Sequence, residues 1–140
     1  MERVDTTRLC LDSSIIIGFL RGRPLELNTF RTAMQSYKCC VASITVYEVL
    51  FGAERKQHGT SLDEETLLGL MSVLSIDDAC ARRASKLHAS LVKLNADISI
   101  KDVLIAVACL DAAVPLLTTN ARHFRRVSGL QVVEPSDIGH

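Results

Sequence analysis

The chain has 140 residues and is 48% apolar, enough for one domain with a real core and too hydrophobic to be disordered. Its 16 basic and 16 acidic residues cancel, so net charge draws no polyanion to it, and a nucleic-acid role would need local basic patches or bound cations. Aromatics are only 4% and Trp is absent, so the core must be aliphatic, as in a buried parallel sheet covered by helices.

Arg8 to Asp12 reads as a central strand ending in an acid. Ser13 and Ser14 open a helix to Leu20, stopped by Gly22 and Pro24. A second helix covers Leu25 to Ser36. Cys39 to Ala42 is the next strand, and Ser43 to Lys56 a helix striped by Ile44, Val46, Val49, Leu50 and Ala53. His58 to Thr60 is its exit, and Ser61 starts a helix to about Leu70. Ser72 to Ile76 is a third strand. Asp77 to Asn95 is amphipathic, with Cys80, Ala84, Leu87, Leu91 and Leu94 on one face. The helix from Ile100 is apolar on every side past its first turn and must be buried. A strand at Val114 to Thr118, a short helix at Ala121 to Arg126 and a strand at Leu130 to Glu134 complete the chain. Strands alternating with helices predict an α/β fold with a parallel sheet.

Four of the five cysteines lie in apolar runs and none has C-x-x-C spacing, which argues for buried thiols rather than zinc. No apolar run spans a bilayer and Met1 to Leu9 lacks a signal core, so the expected location is cytoplasmic.

In an open α/β sheet, ligands bind beyond the carboxyl ends of the strands. Asp12, Glu48 and Asp102 all fall at that edge, each embedded in apolar sequence where an unpaired carboxylate is costly. Brought together they would repel, and a hard divalent cation such as Mg²⁺ or Mn²⁺ is the usual remedy. The alternative reading is helix capping: Thr45-x-x-Glu48 and Ser99-x-x-Asp102 have capping-box spacing, and Asp12 suits an N-cap. Ser13, Asn120 and His123 are auxiliary candidates on the same edge, and Arg21, Arg23, Arg122, Arg125 and Arg126 are candidates for contacts to a phosphate backbone.

Four segments resemble, in order, those of PIN-domain proteins, specifically VapC-type toxin ribonucleases: Leu11 to Gly22, Ser43 to Gly52, Ile98 to Ala106 and Leu117 to Phe124. The resemblance implies a single PIN domain over residues 1–140, with a three-layer α/β/α fold around a five-stranded parallel sheet. It implies an Mg²⁺- or Mn²⁺-dependent endoribonuclease whose ligands are Asp12, Glu48 and Asp102. It also implies a homodimer and a VapB-type antitoxin partner. Asn120 and His123 stand where the fourth segment often carries acids, which leaves three carboxylates and weakens a second metal site. Those two residues support the alternative function, a catalytically weak or inactive PIN-like module that binds RNA or protein. A third alternative, a phospho-acceptor domain, lacks a strand-end Lys between Val114 and Asn120.

Overall fold

A computed structural model describes residues 4, 6–56 and 62–138. The element order is β1 (Arg8–Leu11), α1 (Ser13–Leu20), α2 (Pro24–Ser36), β2 (Lys38–Ala42), α3 (Ser43–Glu54), α4 (Leu62–Leu68) and β3 (Ser72–Leu74). It continues with α5 (Asp78–Lys93), α6 (Ile100–Ala112), β4 (Leu116–Leu117), α7 (Ala121–Phe124), β5 (Val132–Val133) and a 3₁₀ turn at Pro135–Asp137. The five strands form one parallel sheet in the order β3-β2-β1-β4-β5.

Side chains alternate across a strand, and that alternation sorts the core into two layers. Leu9 and Leu11 of β1, with Cys39 and Val41 of β2, pack against Ile15, Ile16, Phe30, Val49 and Leu67 from α1 to α4. Cys10 and Cys40 point the other way, onto Cys80, Leu91, Val107, Cys109 and Phe124 from α5, α6 and α7. The result is the expected three-layer α/β/α arrangement. Helix α6 is buried from Asp102 to Cys109 apart from half-buried Leu104, as its apolar faces required, while Ile100 at its start is exposed.

Four of the five strands are shorter than expected, while β2 gains Lys38, and the shortening has identifiable reasons. The Ile76 N–H donates to Ser43 Oγ at 3.2 Å, outside the ladder, so β3 ends at Leu74. Pro115 has no N–H, and Val114 gives its own to Cys109 O where α6 ends with Ala113 at φ 55°, so β4 starts late. The Glu134 N–H donates to the Asp137 carboxylate at 2.8 Å, which closes β5 and starts the final turn. Helix α4 stops at Leu68, and the Gly69, Leu70 and Met71 N–H groups close a turn on Glu65, Leu67 and Leu68. The predicted exit at residues 58–60 and the helix start at Ser61 lie outside the described residues. Asp77 caps α5, its carboxylate accepting from the Cys80 N–H at 2.9 Å.

All five cysteines are buried free thiols, as expected for the four in apolar runs and found for the fifth as well. Among the described residues, no helix is long and apolar enough to cross a membrane.

Candidate active site

The carboxyl ends of β1, β2 and β4 present their following residues along one edge, beside the first turn of α6. Asp12, directly after β1, is 3% exposed and accepts from three neighbouring groups. Its Oδ1 accepts the Ser13 N–H at 2.8 Å, and its Oδ2 accepts Thr118 Oγ1 at 2.7 Å and Ser14 Oγ at 3.0 Å. Asp12 therefore does cap α1. Thr118, however, reaches it from 106 positions away in the chain, just beyond β4. The Thr118 hydroxyl in turn accepts the Asn120 N–H at 2.9 Å, tying the fourth segment to the first.

Glu48 and Asp102 are not caps. Helix α3 starts after Ala42 with no side-chain cap, so Glu48 sits a full turn inside it. Helix α6 is capped by Ser99, whose hydroxyl accepts the Asp102 N–H at 3.2 Å, and no reciprocal capping box forms there. Both carboxylates meet Lys101 instead. Its Nζ lies 3.2 Å from Glu48 Oε2 and 4.0 Å from Asp102 Oδ1. Asp102 Oδ2 lies 3.6 Å from His123 Nδ1, and the Asn120 amide holds that ring nitrogen at 2.9 Å.

The three acids share one electrostatic environment. Burial pushes the Glu48 carboxyl above its ordinary pKa; Lys101 and Ser13 oppose this, and the charge of Asp12 adds to it. Burial likewise raises Asp102, with Lys101 opposing and Asp12 reinforcing. For Lys101, burial works against the charged form but is outweighed by Glu48, then Asp102 and Asp12, which hold the ammonium above its ordinary value. Mutual perturbation of titratable groups at a sheet edge is a mark of a functional site.

The auxiliary residues Ser13, Asn120 and His123 all stand within this cluster. The arginines divide. Arg23 pairs with Glu26 at 3.9 Å, Arg125 with Glu134 at 2.8 Å, and Arg126 donates to Asp97 O at 2.7 Å. Arg21 lines a cavity of about 150 Å³ between α1 and α3, which Glu48 also borders. Arg122 is exposed on α7 beside His123. Three participants, Ser14, Lys101 and Thr118, were not among the sequence candidates; the sequence marks Ser14 only as part of a helix start. Lys101 had a signal, a cation beside the only acid at the mouth of an apolar helix. Thr118 had none, since a hydroxyl in an apolar run carries no local mark of its partner.

The donor set can be tested against a divalent ion. Among the described residues, the buried side-chain oxygens without a hydrogen-bond partner are Thr45 Oγ1 and Glu48 Oε1. A buried carboxylate oxygen with no partner is expensive and marks a place for an electropositive group. Carboxylate oxygens are also the ligands that Mg²⁺ and Mn²⁺ prefer. Among the described residues, no three His, Cys, Asp or Glu side chains stand as a ready-made cage, and Lys101 lies against two of these acids. The residues fit a hard cation in the chemistry of their donors, and Lys101 now supplies positive charge to two of them.

Sequence comparison agrees with this architecture. Residues 9–130 match the PIN domain family, and the chain belongs to it. Its relatives include the Ribonuclease VapC of Haemophilus influenzae, 31% identical over 123 residues that cover 86% of this chain and 92% of that protein. The tRNA(fMet)-specific endonuclease VapC of Shigella flexneri is 27% identical over 126 residues, covering 89% and 95%. Among solved structures, VapBC-1 from nontypeable Haemophilus influenzae superposes with a TM-score of 0.79 at 25% identity, covering 92% of this chain and 98% of that one.

Proposed function

We propose that this chain is a metal-dependent endoribonuclease of the VapC type, the toxin of a toxin–antitoxin pair. The observation that carries the reading is that Asp12, Glu48 and Asp102 come from three separate segments to one sheet edge, where Lys101 stands against Glu48 and Asp102 and a Glu48 oxygen is left unpaired. The VapC relatives support the substrate class, RNA. The resemblance to VapBC-1 supports a VapB-type antitoxin as partner. A homodimer belongs to the same reading and is checked by light scattering.

Asp12, Glu48 and Asp102 would hold Mg²⁺ or Mn²⁺. Such an ion, when bound, lowers the pKa of a water and neutralises charge that develops on phosphate. The chain's own residues set the stage for that chemistry. Thr118, Ser13 and Ser14 fix both oxygens of Asp12. Glu48, whose burial raises its proton affinity, is suited to accept a proton from an attacking water. Asn120 orients the His123 ring beside Asp102. Arg21 and Arg122, which make no ion pair among the described residues while Arg23 and Arg125 do, are the candidates to meet the RNA backbone. In the reaction, the water oxygen bonds to phosphorus while the bond to O3′ breaks and O3′ takes a proton from solvent, leaving a 5′-phosphate and a 3′-hydroxyl.

One observation favours the rival reading, a PIN-like module without turnover: Lys101 already supplies these acids with a positive charge. Cleavage of RNA in Mn²⁺ separates the two. The Asp12→Asn and Asp102→Asn proteins should lose cleavage while keeping the parent's circular dichroism spectrum. If both variants cut RNA as the parent does, the assignment is wrong.

A further inference from the structure

A site read as a cation site already contains a cation. The Lys101 ammonium is bonded to Glu48 and lies against Asp102, and these are its carboxylate partners among the described residues. It neutralises the acids only in part, since one ammonium faces two carboxylates and reaches one oxygen of Glu48, whose Oε1 has no hydrogen-bond partner. Lys101 is also held loosely. It rises from the first turn of α6, its side chain is 40% exposed, and its four-carbon stem can turn to solvent without moving the backbone. Asp12 differs: its oxygens are engaged by Ser13, Ser14 and Thr118, so it stays in place whatever Lys101 does.

We propose that Lys101 is a built-in competitor for the metal: its ammonium occupies the Glu48–Asp102 side of the cluster and must swing out for a divalent cation to bind there. Lys101 thereby sets the metal affinity of the site. Two cations cannot share the same carboxylate oxygens at these distances without strong repulsion. Whatever free energy the lysine gains from Glu48 and Asp102 is subtracted from the apparent binding of the ion. The inference rests on the metal-site reading above and makes a prediction of opposite sign to a scaffolding role. A lysine that merely organised the ligands would, on removal, weaken metal binding; a competitor would strengthen it.

The test is calorimetric titration of Mn²⁺ into the full chain, stripped beforehand with EDTA. Lys101→Met removes the charge and keeps the length; Lys101→Arg keeps the charge. Lys101→Met should bind Mn²⁺ at least tenfold more tightly than the parent, and Lys101→Arg within about threefold of it. Thermal melting supplies a second readout. In EDTA the Lys101→Met protein should melt below the parent, because Glu48 and Asp102 lose their counter-charge, and Mn²⁺ should raise its Tm by more than it raises the parent's. Equal or weaker Mn²⁺ binding by folded Lys101→Met, or by Lys101→Gln if the Met variant does not fold, would overturn the proposal while leaving the metal site standing. Absence of Mn²⁺ binding in both parent and variant would overturn the metal-site reading, and this proposal with it.

Discussion

Replacing Thr118 by Val tests the link that joins the ends of the candidate site. The hydroxyl is fully buried and donates to Asp12 Oδ2 at 2.7 Å, and Val fills nearly the same volume without a donor. A hydrogen bond to a charged group contributes roughly 1.5–3 kcal/mol, and its loss leaves Oδ2 with Ser14 alone. The Asn120 N–H also loses its acceptor, but Asn120 is half-buried and water can replace it, so we add nothing for it. The expected loss is about 1.5–3 kcal/mol in urea denaturation, or roughly 5–12 °C in Tm for a domain of this size. A double-mutant cycle with Asp12→Ala isolates the pair, because Thr118→Val should cost far less once the carboxylate is gone. A coupling energy below about 0.5 kcal/mol would show that the hydroxyl does not hold Asp12, and the argument for a pre-positioned carboxylate would fail.

Other consequences are local. Lys56 pairs with buried Glu64 and holds its carboxyl below the ordinary range. A depressed carboxyl contributes stability that is present above its unfolded pKa of about 4.3 and is lost as pH falls through the lower folded value. The parent should thus exceed Glu64→Gln in denaturant midpoint near pH 7 and lose that lead in acid; a lead independent of pH would refute the pairing. The five thiols should be silent to a thiol reagent in the native protein at neutral pH and react once unfolded, since all are buried and burial pushes Cys39 up to about 12. A thiol that reacts rapidly in the folded state would contradict this. Gly18 lies where α1 meets α2, and a Cβ there would stand 2.3 Å from Glu26 Cγ. Gly18→Ala should therefore destabilise by about 1–2 kcal/mol, overpacking outweighing the helix propensity gained, and Glu26→Ala in the same chain should restore it. A stabilised single variant would sink the reasoning.

Much of this was legible before folding was considered. Helices α1, α2, α3, α5 and α6 fall within a few residues of their predicted bounds, because apolar periodicity, Pro24 and the caps at Asp12, Asp77 and Ser99 act over one or two turns. The parallel sheet followed from alternation of element types, which is a property of order along the chain. Four strands were overdrawn because their ends depend on which neighbour takes each N–H, as Ile76, Val114 and Glu134 illustrate.

The candidate site divides along the same line. The amino-acid order by itself pointed Asp12, Glu48 and Asp102 to one sheet edge in apolar surroundings, since Asp12 directly follows a strand, Glu48 lies early in the helix after one, and Asp102 is in the first turn of the buried helix. Only the tertiary structure decided that Asp12 is a cap and also the acceptor of Thr118, that Glu48 and Asp102 cap nothing, and that Lys101 lies between them. Capping is read from a spacing of three residues. Charge balance depends on distances between side chains brought together by packing across layers, and no local pattern in the chain encodes those distances.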